Sequence, residues 1–149
     1  MLFSQIIGQE DVKKKLIQSV RDNRVAHAQL FLGPEGSGSL ALAIAYAQYI
    51  NCTNRSENDS CGVCPSCKKI NNLVHPDLHF VFPNAATKTI KSNTESDMLL
   101  SEWRDFVAST EAYGSLQDWY KSLEIENKQG MINVRDAATI MHKLNLKTY

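Results

Sequence analysis

The sequence predicts an α/β fold in which a glycine-rich loop joins a strand of a parallel sheet to a buried helix. Residues 28–32 form a short apolar run suited to a buried strand, and residues 78–82 alternate in the manner of a second strand. Residues 40–50 are rich in alanine and leucine, which favours a helix that is apolar on nearly every side. A strand, a glycine loop and a buried helix in this order are typical of a phosphate-binding unit.

The loop has the glycines of a phosphate-binding loop but lacks its two chemically active side chains. In the pattern G-x-x-x-x-G-K-S/T, Gly33 and Gly38 occupy the required glycine positions. Ser39 stands where a lysine would reach the β- and γ-phosphates, and Leu40 stands where a hydroxyl would bind Mg²⁺. The loop N–H groups could still surround an anion at a helix start. We therefore expect a degenerate loop of Gly33, Gly36, Gly38 and Ser39 that binds no ATP, and we expect no catalytic residue.

The composition is that of an ordinary globular chain. Its 149 residues are 43% hydrophobic, which is enough for one buried core, and the formal net charge is zero. A neutral chain has no overall field that attracts nucleic acid or an anionic membrane. The N-terminus lacks a basic start followed by a long apolar stretch, and the apolar helix near residues 40–50 is shorter than the roughly 20 residues of a membrane span. We expect a soluble cytoplasmic protein.

All the cysteines lie close together, which predicts a zinc module at residues 52–67. Cys52 is followed by eight residues, Cys61, two residues, Cys64, two residues and Cys67. Disulfides are rare in a reducing cytosol, whereas paired C-x-x-C turns present thiolates at tetrahedral zinc distances. Four thiolates would fill the coordination sphere, so the predicted zinc is structural. A redox pair and a disulfide-stapled knot are the alternative interpretations.

Helical spacing of apolar residues predicts further helices. Residues 9–23 are expected to form an amphipathic helix with a solvated lysine face, and residues 68–73 a short helix after the cysteines. Gly114 separates two helices that follow residue 94, and Asn133 is expected to cap a last helix at 133–146. The predicted packing residues are Leu99, Trp103, Phe106, Val107, Leu116, Trp119, Tyr120 and Leu123 in the first two of these helices, and Val134, Ala137, Met141 and Leu144 in the last.

Four stretches taken together resemble the N-terminal domain of bacterial DNA polymerase III clamp-loader subunits. They are Ile7-Gly8-Gln9, residues 24–34, the four cysteines, and His75-Pro76-Asp77. The resemblance implies an AAA+-like parallel sheet that is incomplete at the C-terminus of residues 1–149, with a helical insert at about 84–130. It also implies that an acidic strand, an arginine motif, a lid domain and a collar domain follow Tyr149 in a longer protein.

The resemblance further implies a function and partners. Members with working ATPase sites, the gamma and tau subunits, are expected to carry lysine and threonine at the positions of Ser39 and Leu40, so the degenerate loop indicates a non-hydrolysing structural subunit. Its expected partners are the gamma/tau and delta subunits and, indirectly, the sliding clamp and primed DNA, with no membrane. It would help to load the sliding clamp during replication, with structural zinc as its cofactor.

Two other functions remain open at this point. One is an active clamp-loader ATPase of the gamma/tau type with an unconventional loop, which Ser39 argues against. The other is a zinc ribbon that binds DNA or RNA, for which lysine, arginine and aromatic side chains around the metal would be expected. The loop before Cys61 carries Arg55 beside acidic residues and no aromatic side chain, and only Lys68 and Lys69 follow the cysteines.

Overall fold

The computed structural model describes residues 1–145, which fold into helices and connecting loops. The chain divides into two compact units, of which the first is Met1–His75 and the second begins at Pro76. In the described part of the chain, no helix is long and apolar enough to cross a membrane.

The first unit is built around its most apolar helix. After a 3₁₀-helix at Phe3–Gln5 come α1 (Glu10–Arg21), α2 (Ser39–Asn51) and α3 (Pro65–Asn71). Helices α1 and α3 both contact α2. The buried residues of α2 are Ala41, Leu42, Ile44, Ala45, Tyr46, Gln48 and Tyr49. The prediction of a helix that is apolar on nearly every side is therefore confirmed.

Helix α1 is amphipathic as predicted, but its lysine face is not entirely solvated. Leu16 and Ile17 are the buried apolar residues of this helix. Lys13 is buried as well, because its ammonium donates a 2.7 Å hydrogen bond to the main-chain oxygen of Ile6 and a 2.8 Å bond to Glu10. A buried lysine is tolerated when its charge is paired and hydrogen-bonded in this way.

The second unit has an aromatic core. Its elements are a second 3₁₀-helix at Ser96–Leu99, followed by α4 (Leu100–Ser109), α5 (Leu116–Ser122) and α6 (Val134–Leu144). The Phe82 ring stacks on Trp103 with centroids 4.3 Å apart, and Trp119 meets Trp103 edge-on at 5.0 Å. Stacked and edge-to-face geometries are the favourable ones for aromatic pairs. Trp103, Phe106 and Trp119 therefore pack together as predicted. Leu116, also a predicted packing residue, is instead 45% exposed at the first position of α5.

The predicted parallel sheet is wrong. Residues 1–145 contain no β-strand, and their one bridge is an isolated antiparallel pair between Asn84 and Met131. The expected strand at residues 28–32 is not buried, since Leu30 and Leu32 are 85% and 88% exposed. A strand needs a partner that accepts and donates main-chain hydrogen bonds, and residues 28–32 form no main-chain pairing with another segment of the described chain.

The expected strand at residues 78–82 is replaced by a different set of bonds. The N–H of Phe82 donates to the Ser96 hydroxyl at 3.2 Å, and that hydroxyl donates back to the Phe82 oxygen at 3.3 Å. The Asn84 side-chain amide also donates to the Phe82 oxygen, at 3.2 Å. Side chains thus satisfy main-chain groups that a sheet would have paired, while the Phe82 ring joins the aromatic core.

The predicted inward face of α6 is also wrong. Helix α6 begins after its Asn133 cap as predicted, whereas the predicted end at residue 146 lies outside the described residues. Val134 is 85% exposed, and Ala137, Met141 and Leu144 are exposed as well. The buried residue of α6 is Asp136. Polar contacts orient the helix, because Asp136 and Lys143 bind groups of the segment 95–97.

Candidate metal centre

The four cysteines lie at the ends of two helices and in the loop between them. Cys52 directly follows α2, Cys64 is the N-cap of α3, and Cys67 belongs to the first turn of α3. Cys61 lies in the connecting loop. The four sulfur atoms all lie within 4.8 Å of one another. The structure therefore brings together the four residues that the sequence predicted as ligands.

The geometry of this cluster fits a single tetrahedral ion. Sulfur ligands about 2.3 Å from one zinc ion lie about 3.8 Å apart at the corners of a tetrahedron. The Cys61 and Cys67 sulfurs are 4.0 Å apart, close to that separation. A set of four free thiols at this spacing could hold a metal ion.

Main-chain N–H groups point at three of the sulfurs. The N–H of Cys61 donates to Cys52 Sγ at 3.3 Å, and the N–H of Cys64 donates to Cys61 Sγ at 3.4 Å. The N–H of Cys67 donates to Cys64 Sγ, also at 3.4 Å, which caps α3. Hydrogen bonds of this kind stabilise the thiolate, which is the form that binds metal.

The surroundings divide the four thiols into two pairs. Burial by itself raises the pKa of Cys64, but hydrogen bonds from the Cys67 main chain and from Thr53 outweigh it and bring that pKa to about 5. Bonds from the main chain of Val63 and Cys64 lower the pKa of Cys61. Burial raises the pKa of Cys52, and burial together with bonds to its neighbours raises the pKa of Cys67 to about 12. Metal binding would therefore release protons, since a thiol must ionise to become a ligand.

Two residues that support the cysteine loop are not among the predicted site residues. Gln48 is fully buried in α2, and its side-chain amide donates to the Ser60 hydroxyl at 2.9 Å, one residue before Cys61. Asp59 accepts the Ser60 N–H at 2.8 Å. A polar residue in an otherwise apolar helix could have identified Gln48. The sequence does not distinguish Asp59 from other acidic loop residues, because its hydrogen-bond partners are set by the fold.

The glycine-rich loop lies in the same unit, immediately before α2. Gly38 caps the helix in a left-handed conformation with φ of +82°, and Ser39 is the first helical residue. The Ser37 hydroxyl lies against Gly33 so closely that a β-carbon there would collide with it. The same hydroxyl is 3.2 Å from that of Ser39. The loop thus packs against the side chain of its own Ser37, and the exposed Gly36 lies at its outer turn.

The structure and these sites define a helical chain with a four-cysteine centre and a glycine loop at the start of its central helix. The model of the family described as "DNA polymerase III, delta subunit" matches residues 8–149, so the chain belongs to this family of clamp-loader-type subunits, as its motifs predicted. No solved structure matches the chain.

Three relatives illustrate the similarity. The chain is 30% identical over 111 residues to DNA polymerase III subunit tau/gamma of Haemophilus influenzae, covering 74% of this chain and 16% of the relative. It is 38% identical over 76 residues to subunit delta' of Bacillus subtilis, covering 51% and 23%. It is 34% identical over 70 residues to subunit tau of Bacillus subtilis, covering 47% and 12%. The chain thus spans less than a quarter of the length of these relatives.

Proposed function

We propose that this chain is part of a non-hydrolysing structural subunit of the DNA polymerase III clamp loader, of the delta-prime type. Its role is to help load the sliding clamp on primed DNA together with the gamma/tau and delta subunits. Family membership and the similarity to a delta' subunit support the assignment to this complex. The observation that carries the non-hydrolysing role is the glycine loop, in which Ser39 and Leu40 replace the lysine and the hydroxyl that nucleotide binding requires.

Two physical arguments support weak nucleotide binding. Charge-assisted contacts of the missing kind contribute about 1.5–3 kcal/mol each, so the loss of two weakens binding by roughly two to four orders of magnitude. In addition, the Ser37 hydroxyl lies against Gly33, so the loop is closely packed at its first glycine. A subunit that does not cycle with ATP can serve as a fixed reference for neighbours that do.

The proposal includes one structural zinc ion held by Cys52, Cys61, Cys64 and Cys67. The spacing of the sulfurs and the main-chain donors around them support it. Four thiolates leave no open position for water or substrate, so the ion would fix the loop between α2 and α3 and take no part in a reaction. The cluster is bounded by helices α2 and α3, and no β-hairpin of a zinc ribbon occurs within residues 1–145.

Calorimetric titration with Mg²⁺ and ATP tests the nucleotide part of the proposal. The full chain should release no binding heat at micromolar nucleotide, whereas a tau/gamma subunit from the same organism serves as the positive control. Sedimentation of the chain with the tau/gamma and delta subunits should give a complex. Micromolar, magnesium-dependent ATP binding by this chain would instead favour the active ATPase.

Elemental analysis tests the metal part. Protein purified without a chelator should contain one zinc ion per chain. The absence of stoichiometric metal, or a disulfide among these cysteines under reducing conditions, would contradict the proposed centre.

A further inference from the structure

The carboxylate of Asp59 joins the N-terminal segment to the cysteine loop. Its Oδ1 accepts the N–H of Phe3 at 3.0 Å, and its Oδ2 accepts the N–H of Ser4 at 2.9 Å. Oδ1 also accepts the N–H of Ser60, the residue before Cys61. The first N–H groups of a helix have no partner within it, and an acidic side chain at that end can accept their hydrogen bonds. Asp59 therefore caps the 3₁₀-helix Phe3–Gln5 from another part of the chain.

The loop that carries Asp59 is held by its own hydrogen bonds. The N–H and the hydroxyl of Ser56 donate to the Asp59 main-chain oxygen at 2.8 and 2.9 Å. The N–H of Asp59 donates in return to the Ser56 hydroxyl at 3.0 Å. The bond from Gln48 to Ser60 ties the following residue to α2. The position of the Asp59 carboxylate is thus set by the loop, so a segment that binds this carboxylate also restrains the loop.

Apolar contacts attach the same N-terminal segment on the other side of Cys61. Leu2 lies beside Gly62, where a β-carbon would be 3.5 Å from Leu2 Cδ2. Gly62 belongs to the turn between Cys61 and Cys64, and its φ of +71° suits glycine. The buried Phe3 ring meets Tyr49 of α2 edge-on, with centroids 5.8 Å apart.

We propose that Asp59 is a positioning residue for the metal centre. Through it, the docking of residues 2–5 on the cysteine loop and the binding of metal at the cysteines stabilise each other. The inference rests on the metal site proposed above. The segment touches the loop at Asp59 and at Gly62, on either side of Cys61, and so restricts the main chain that presents this sulfur. Because coupling between two binding events is reciprocal, metal at the cysteines stabilises the docked segment by the same factor by which the docked segment raises metal affinity.

Amide hydrogen exchange on the unchanged chain tests one direction of this coupling. The N–H groups of Phe3 and Ser4 should exchange slowly in the zinc-loaded protein and about 10-fold or more faster after zinc is removed with a chelator. The N–H of Ser115, which donates to Asp118 in the second unit, is the internal control and should exchange at the same rate in both states. Equal protection of Phe3 and Ser4 with and without zinc would overturn the proposal.

Metal affinity tests the other direction. Asp59→Ala should weaken zinc binding about 10-fold in competition with a chromogenic chelator, because the main chain that presents Cys61 loses its support. Asp59→Asn keeps one acceptor oxygen and should recover part of the affinity. Asp118→Ala removes a comparable carboxylate that caps α5 and should leave zinc affinity unchanged.

The outcomes separate this inference from the site on which it rests. If the unchanged chain binds no zinc, the metal site and this inference both fail. If it binds one zinc and Asp59→Ala binds zinc equally well, the inference alone fails. If Asp59→Ala does not fold, the exchange rates of Phe3 and Ser4 in the unchanged chain decide the question.

Discussion

The main-chain N–H of Ser96 donates a 2.7 Å hydrogen bond to the carboxylate of Asp136, although 40 positions separate the two residues in the chain. Asp136 is only 3% exposed. It also accepts the Asn84 side-chain amide at 3.2 Å and the Asn133 N–H at 3.1 Å. One buried carboxylate thus connects two separate segments of the second unit, at Asn84 and Ser96, to the capped start of α6.

Replacement of Asp136 should destabilise the second unit. Asp136→Ala leaves buried donors without a partner, and we expect the free energy of unfolding to fall by about 3 kcal/mol. Urea unfolding followed by tryptophan fluorescence measures this unit specifically, because the protein's two tryptophans, Trp103 and Trp119, both lie in it. Asp105→Ala, which removes an exposed carboxylate on α4, is the control and should change the free energy by less than about 0.5 kcal/mol. Equal effects of the two variants would contradict this role of Asp136.

The same carboxylate should make the second unit sensitive to acid. Burial by itself raises the pKa of Asp136, but hydrogen bonds from Ser96, Asn133 and Asn84 outweigh it, and the pKa lies below its ordinary value. A depressed pKa in the folded state contributes stability above the unfolded-state pKa of about 3.9, and this contribution is lost as the pH falls through the folded-state pKa.

Urea unfolding at a series of pH values from about 6 to 3 measures this contribution. The stability of the unchanged chain should fall more steeply below pH ~4 than that of Asp136→Asn, which cannot titrate there. Asp118 and Glu124 also have lowered pKa values, but they titrate in both proteins, so the difference between the two curves reports Asp136. Parallel curves would show that Asp136 makes no such contribution.

Loss of one sulfur should remove the proposed zinc ion. At a free zinc concentration of about 1,000 times the dissociation constant, bound zinc adds about 4 kcal/mol to the free energy of unfolding, and Cys64→Ser should lose most of this. Val63→Ser changes a side chain that is 70% exposed in the same turn and should keep the metal. Elemental analysis and amide exchange of the first unit measure the two effects. A Cys64→Ser protein that retains one tightly bound zinc would contradict the four-cysteine centre.

The buried Lys13 should contribute to the stability of the first unit. Lys13→Met preserves an apolar chain of similar length but leaves the oxygen of Ile6 without its donor, and we expect a loss of about 2 kcal/mol. Lys14→Met, at an exposed position of the same helix, is the matched control. Amide exchange across α1 measures both variants. Equal protection in the two would show that the buried bond adds no stability.

The helices and the cysteine cluster could be predicted from the sequence because their signals are local. The run at residues 40–50 is apolar enough to specify a central helix, observed as α2 at Ser39–Asn51. The Asn133 side chain accepts the N–H groups of Arg135 and Asp136, so this cap acts within four consecutive residues. The short spacing of the cysteines also limits how far apart their sulfurs can lie.

The strands, the orientation of α6 and the support around Cys61 were decided only by tertiary structure. A strand exists only if another segment pairs with it, and the main chain of Phe82 pairs instead with the side chain of Ser96. Helix α6 turns Asp136 inward, where its carboxylate accepts hydrogen bonds from the distant Asn84 and Ser96, and this leaves the apolar stripe of the helix exposed. Asp59 likewise meets the N–H of Phe3 across 56 positions of the chain. Such contacts join residues that are far apart in sequence, so they have no local signal and depend on how the whole chain packs.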